Sequence, residues 1–378
     1  MVENSPVRGG KAALTYSSAA KCDQALRALC LATGLDKDAE QILALFESLC
    51  ELGCIRHLPP TPRWSGVTDD CTPIELSIAL SQRRACVRFL IEAQDDRCSA
   101  LAYWEAAERI TRYLGDQMGA NLEILDVIGS LFVPTDPNAL FAAWHAVEFS
   151  SDRPPLFKLY MNLNAQGQRL STAVLSEALE RLKFGAAVPA ILQLCTGDDR
   201  LTHLSVDLTS RTAARVKVYM RHFRISVAGL NERAARLGLG IASAFGDVCN
   251  LVCAVPGVLW QRPVMTCYQL TPEDRSRPTQ ASLYIPLSPY ASDDEVARGR
   301  LLNLLEHFGT STRVYSQSYE ALAGDAASCP DGLHTYVAYK ASGADSQINI
   351  YFSPRLYQSS FGRLALDPPR FWPSPVEV

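Results

Sequence analysis

The chain has 378 residues, a net charge of −4 and a pI near 5.9, a balance that favours neither nucleic acid nor an anionic membrane as partner. The first ten residues hold no apolar signal-peptide core, and no stretch approaches about 18 uninterrupted apolar residues, so the expectation is a cytoplasmic protein without a transmembrane helix. Twelve cysteines at irregular spacing read as reduced thiols rather than a disulfide framework.

In chain order, residues 1–17 are polar and glycine-containing and are expected to be flexible. Apolar residues at helical spacing from Ala19 to Leu52 predict two helices broken near Gly34. The proline-rich link His57–Trp64 closes this N-terminal unit, taken as residues 18–60. Val67–Ile78 reads as a loop and strand, and Ala85–Glu92 as its hairpin partner. A helix is predicted over Ala100–Met118, followed by an apolar run over Leu122–Phe132. Four more hairpins follow: Ala142–Phe149 with Leu156–Leu163, Leu201–Leu208 with Ala214–His222, Val264–Leu270 with Ala281–Leu287, and Leu333–Lys340 with Gln347–Phe352. Helices are predicted between them over Leu170–Lys183, Ala187–Leu194, Val227–Leu237, Leu239–Val255 and Asp293–Phe308. The tail, 356–378, is proline-rich and expected to be extended.

Five hairpins interleaved with helices give about ten antiparallel strands, enough to close a sheet without an edge. The strand faces point the same way. In Arg215-Val-Lys217-Val-Tyr219 a period of two puts Arg215, Lys217 and Tyr219 on one face and Val216 and Val218 on the other. Lys158-Leu-Tyr160 repeats the step, Arg88 stands between Val87 and Phe89, and Tyr284 and Tyr351 follow polar residues by two. These stretches recur roughly every 60 to 70 residues. Strands that each give a cation or a tyrosine to one face imply a barrel with a polar, positive, aromatic lumen and an apolar outside covered by helices. The expected architecture is one α+β domain over 1–378, with barrel and helical ring across 65–355. Nucleotide-binding, metalloprotease and serine-hydrolase signatures are absent from the sequence. Cys50, Cys54 and His57, and Cys249 with Cys253, have partial zinc-like spacing, but thiols at i and i+4 of a helix read as core residues.

In this order and spacing the chain resembles the indole prenyltransferases of the dimethylallyltryptophan synthase type, whose fold is the ABBA or PT barrel. The residues that carry the resemblance are Thr68-Asp-Asp-Cys-Thr-Pro-Ile-Glu75-Leu-Ser77, Val87-Arg88-Phe89-x-Ile-Glu92, Lys158-Leu-Tyr160 with Asn164-Ala-Gln-Gly167, Arg215-Val-Lys217-Val-Tyr219, Leu283-Tyr284-Ile-Pro286, and His334-Thr-Tyr336 with Tyr351-Phe-Ser-Pro354. The resemblance implies transfer of a dimethylallyl group from dimethylallyl diphosphate to an indole, with no metal or other cofactor. It implies that Arg88, Lys158, Arg215, Lys217, Ser282 and Tyr351 hold the diphosphate. Tyr160, Tyr219, Tyr284, Tyr336 and Tyr351 would shield the allyl cation. Glu75 would accept the indole N–H and Arg200 would meet an acceptor carboxylate.

Some relatives carry a lysine base on the first strand of the second hairpin. Here that strand reads His145-Ala-Val-Glu148, leaving His145, Glu148 or Glu75 itself as the base. Ser282 and Gln347 stand where relatives often have glutamine and tyrosine. The Asp-Asp pairs at 69–70, 95–96, 198–199 and 293–294 lack the second half of a D-D-x-x-D metal motif. Expected partners are small molecules, with no nucleic acid or membrane, and the protein is expected to be a monomer or homodimer. The alternatives are a larger indole acceptor such as an indolactam or cyclic dipeptide, a geranyl donor, or a barrel that only carries a hydrophobic or anionic ligand.

Overall fold

A computed structural model describes residues 18–239, 242–255, 257–324, 332–341 and 346–357. The expected flexible N-terminus and the tail beyond 357 lie outside the described residues.

Twelve strands run β1 (Ile74–Leu80), β2 (Ala85–Glu92), β3 (Ala143–Ser150), β4 (Arg153–Asn162), β5 (Arg200–Asp207), β6 (Val216–His222), β7 (Ile225–Ser226), β8 (Val258–Leu259), β9 (Val264–Leu270), β10 (Gln280–Pro286), β11 (His334–Lys340) and β12 (Gln347–Phe352). Ten of them close into one barrel, all antiparallel, in which β6 pairs with β9 and β12 returns to β1. The remaining two, β7 and β8, form a separate short ribbon. The predicted hairpins all form, with boundaries moved by a few residues.

The helices are α1 (Ser18–Thr33), α2 (Ala39–Leu52), α3 (Ala100–Met118), α4 (Glu123–Ile128), α5 (Ser171–Arg181), α6 (Val188–Leu192), α7 (Val227–Arg236), α8 (Ala242–Val252), α9 (Asp294–His307) and α10 (Arg313–Ala323). Side-chain caps start three of them: Ser99 on α3, Ser226 on α7 and Asp293 on α9 each accept from a backbone N–H three residues on. Gly119, in the left-handed region at φ 69°, ends α3. The sequence reading missed α10. Its buried face is Tyr315, Ser318 and Tyr319, which has helical spacing but not the apolar residues that mark such a face.

The core lies outside the barrel, not within it. Val216, Val218, Leu204, Phe89 and Ile350, all pointing outward, join Phe46, Ile110, Leu179, Phe245 and Leu304 of the helices in one buried apolar cluster. At about 25 cal/mol per Å² of apolar surface, this belt supplies the main drive to fold. It leaves the lumen free to hold polar groups. A second, small cluster of Tyr219, Met265 and Cys267, with Tyr160 and Tyr284 against it, lies inside.

Candidate active site

Register sorts the lumen residues into levels. At one end Arg88 sits opposite Glu148, Lys158 opposite Asp207, Lys217 opposite Gln269, and Ser282 opposite Lys340. Two residues further along come Tyr160, Tyr219 and Tyr284, with Tyr351 on β12, and further along their own strands Glu75, Trp144, His203, Arg221 and Tyr336, where register pairs Trp144 with Tyr160 and His203 with Tyr219.

The first level is dense with charge. Glu148 accepts from Lys158 Nζ at 2.8 Å and pairs with Arg88 and Arg153. Asp207 accepts from Arg215 Nε at 2.5 Å. Burial pushes the Glu148 carboxyl up, but Arg88, Lys158 and Arg153 outweigh it and hold it well below its ordinary range. Burial brings Lys158 down to about 8 against the pull of Glu148. Lys340 comes down to about 7, first by burial and then by Lys217, Arg215, Arg88 and Lys158 around it. Arg88, Lys158, Arg215, Lys217 and Lys340 therefore outnumber Glu148 and Asp207. Such a surplus of buried cations calls for an anion.

The second level is a run of rings. Tyr160 and Tyr219 have centroids 5.9 Å apart, Tyr219 and Tyr284 5.8 Å, and Tyr284 and Tyr351 6.1 Å. The Tyr219 hydroxyl and the Asn349 Oδ1 are buried and have no hydrogen-bond partner among the described residues. Tyrosine faces attract a cation through the ring quadrupole, and these rings stand directly beside the anion-seeking level.

The third level buries groups singly. Glu75 takes one hydrogen bond, from Thr335 Oγ1 at 2.8 Å. Burial raises its carboxyl to about 8, Thr335 offsetting part and Asp69 adding to the rise. Glu92 accepts from Ser65 at 2.6 Å and from Trp144 Nε1 at 3.1 Å. Trp144 stacks on Phe141 at 4.0 Å, and His203 stacks on Tyr219 at 4.0 Å. At the rim Asp69 clamps Arg262 through both terminal nitrogens, at 2.6 and 2.8 Å, and the guanidinium lies 5.3 Å from the Tyr336 centroid.

The structure brings Glu75, Arg88, Lys158, Tyr160, Arg215, Lys217, Tyr219, Ser282, Tyr284 and Tyr351 onto the lumen face. It does not bring in His145. That residue pairs with Leu159 and Ile91 on the outward face and meets Thr111 of α3 at 2.8 Å. Its neighbour Glu148 is in the lumen, but locked among cations at the end away from Glu75. Arg200 donates to the Asp199 carbonyl at 2.9 Å, a bond that folds it back on its own turn. Tyr336 stands apart from the four-ring run, under Arg262. Lys340, His203, Arg221 and Glu92 had no site role in the sequence reading, although Glu92 stands in one of the motifs that carry the resemblance. Alternation could have found three of them: Lys340 shares parity with Tyr336, Arg221 with Tyr219, and His203 with Ser205 and Asp207. Among the described residues no group of three or more His, Cys, Asp or Glu side chains is placed to hold a metal ion, and no helix is long and apolar enough to cross a membrane.

A family model described as tryptophan dimethylallyltransferase matches residues 36–322. The chain belongs to this family. Membership makes it an aromatic prenyltransferase, and its closed ten-strand barrel is the ABBA fold. Among solved structures, this tryptophan dimethylallyltransferase family member is similar to 6-dimethylallyltryptophan synthase from Micromonospora olivasterospora, solved with DMASPP and Trp. The identity is 30%, the TM-score 0.84, and the match covers 90% of this chain and 98% of that one. It is also similar to the prenyltransferase PriB, solved with L-tryptophan and dimethylallyl thiolodiphosphate, at 26% identity and TM-score 0.81, over 90% and 97% of the two chains. A third relative, 5-dimethylallyltryptophan synthase from Streptomyces coelicolor, shares 25% identity at TM-score 0.80, over 91% and 96%.

Proposed function

We propose that this enzyme transfers the dimethylallyl group of dimethylallyl diphosphate to the indole ring of tryptophan or a tryptophan-derived metabolite, without a metal ion. The single observation that carries the reading is the ordered lumen: surplus cations, then tyrosine rings, then an isolated buried carboxylate. Loss of diphosphate is the hard step, because charge separates in a closed site. Arg88, Lys158, Arg215, Lys217 and Lys340 are placed to stabilise the negative charge that develops on the leaving oxygen. Arg215 supplies a planar fork and the lysines supply point charges.

The allyl cation then lies among Tyr160, Tyr219, Tyr284 and Tyr351, whose faces stabilise it and whose bulk keeps water away. An indole ring carbon gives its π electrons to the allyl carbon and a carbon–carbon bond forms. Glu75 accepting the ring N–H would enrich the ring in electrons at that moment. Free tryptophan is favoured as acceptor because 6-dimethylallyltryptophan synthase, PriB and 5-dimethylallyltryptophan synthase were each solved with it bound.

Incubation of the purified protein with dimethylallyl diphosphate, L-tryptophan and EDTA tests the proposal by mass spectrometry. The expected product is tryptophan heavier by one C5H8 unit. Activity abolished by the chelator and restored by a divalent cation would overturn the metal-free part. Absence of product with tryptophan and with a panel of larger indoles would overturn the whole.

A further inference from the structure

The reaction needs one more group. Once the carbon–carbon bond exists, the attacked ring carbon is tetrahedral and carries a proton that must leave. The sequence offered His145, Glu148 or Glu75. Register removes His145 from the lumen, and Glu148 is bound to Arg88, Lys158 and Arg153 at the diphosphate end. Asp207 is tied to Arg215 at the same end. In the acceptor half, Glu92 is occupied by Ser65 and Trp144, and Glu75 is the partner assigned to the ring N–H.

Lys158, Lys217 and Lys340 stand at the diphosphate end, so in the acceptor half one neutral basic group is left over, and the sequence reading passed over it. Among the described residues His203 is the one histidine on the lumen face. It pairs across with Tyr219 on β6 and Asn162 on β4. Its ring stacks on Tyr219 at 4.0 Å, lies 5.9 Å from Tyr160, and meets Trp144 edge-on at 5.5 Å. It therefore touches both the tyrosine run that would hold the allyl cation and the tryptophan that walls the acceptor level. It is 4% exposed.

Its Nδ1 faces the Thr202 hydroxyl. Thr202 Oγ1 donates its proton to the Tyr219 carbonyl at 3.3 Å and lies 3.0 Å from His203 Nδ1. In the tautomer with the ring proton on Nδ1, that hydroxyl accepts from Nδ1–H. The lone pair is then on Nε2, which makes no hydrogen bond with any described residue.

We propose that His203 is the base that takes the ring proton, a role that rests on the prenyl-transfer reading above. The C–H bond of the tetrahedral carbon breaks, its electron pair restores the aromatic ring, and the proton goes to His203 Nε2. The imidazolium returns the proton to solvent as product leaves, and no other reactant is consumed. Burial, reinforced by Arg221, holds the imidazole well below its ordinary value and so neutral beforehand. A poor base suffices here, because a protonated arene is a strong acid. Placement decides the rate of this step.

The test compares wild type with His203→Phe, which keeps an aromatic ring against Tyr219, and with His203→Ala. Each is assayed with L-tryptophan and with ring-deuterated L-tryptophan. Wild type is expected to show little isotope effect, because diphosphate loss limits the rate. Both variants are expected to lose about a hundredfold in turnover and to gain a ring-deuterium isotope effect, and added imidazole is expected to rescue His203→Ala. A repacked pocket would slow catalysis without creating an isotope effect. Wild-type turnover with variants that show no new isotope effect overturns the assignment of His203 and leaves prenyl transfer intact. A wild type that prenylates no indole overturns the reading, and the assignment falls with it.

Discussion

The two ends of the lumen bury ionisable groups in opposite ways. At the diphosphate end each carboxylate is matched to cations: Glu148 to Lys158, Arg88 and Arg153, and Asp207 to Arg215. Among them Glu148 is held well below its ordinary range and stays charged. At the acceptor end the carboxylates stand alone with neutral donors. Glu75 is raised to about 8 and Glu92 to about 7. On the proposed reading, the same wall of strands builds a high-charge anion site and, one tyrosine layer away, a low-charge pocket that suits a flat neutral ring. Pairing, not depth of burial, makes the difference, since both sets are deeply buried.

Breaking the pairing is the hardest blow to this contrast. Glu148→Ala strands Arg88 and Lys158 in the lumen, and should cost about 3–5 kcal/mol of stability, read as a lowered denaturation midpoint. Added inorganic diphosphate should restore part of the loss, since it can take the carboxylate's place beside those cations. A variant as stable as wild type would mean the charges are solvated after all.

Removing a cation is the next largest change. Lys217→Ala or Arg215→Ala should lower turnover on the order of a hundredfold or more while the fold survives. Near-normal turnover in both would move the diphosphate elsewhere. At the other end, Glu75→Gln should bind a thiolodiphosphate donor analogue as wild type does and slow prenylation up to about tenfold, the size of one buried hydrogen bond. Equal losses in donor binding would mean the two ends are not separate.

The same residue sharpens the contrast through pH. Glu75 is protonated in the native protein up to about 8, whereas in the unfolded chain it ionises near the ordinary glutamate value of about 4.3. Between those values the native state holds a proton that the unfolded state has lost, so its contribution to stability falls as pH rises through that window. Thermal melts of wild type from pH 5 to pH 8 (about the limits set by those two values) should decline more steeply than those of Glu75→Gln. Parallel curves would mean Glu75 is ionised in the native protein.

Much of this molecule was legible in its sequence because the alternation is strict. Arg215, Lys217 and Tyr219 share a face in sequence and in space, and the apolar face of the same strand packs outward as expected. Strand parity also separates His145 from Ala146, but parity alone does not say which face is the lumen unless a neighbouring cation or tyrosine marks it. On β3 the mark is Glu148, three residues from His145 and thus on the other face. His203 keeps parity with Ser205 and Asp207, and it stayed hidden because no K-x-Y step flags that strand. The acceptor rim depends on Arg262 meeting Asp69, residues far apart in the chain, a contact that no local pattern encodes.

The most direct test of the two-ended lumen is a crystal structure of the protein with a thiolodiphosphate donor analogue and L-tryptophan bound together. The account predicts the diphosphate oxygens within hydrogen-bond reach of Arg88, Lys158, Arg215 and Lys217, the allyl carbons among Tyr160, Tyr219, Tyr284 and Tyr351, and the indole N–H on Glu75. A diphosphate bound at the Glu75 end, or an indole lying outside the barrel, would contradict it.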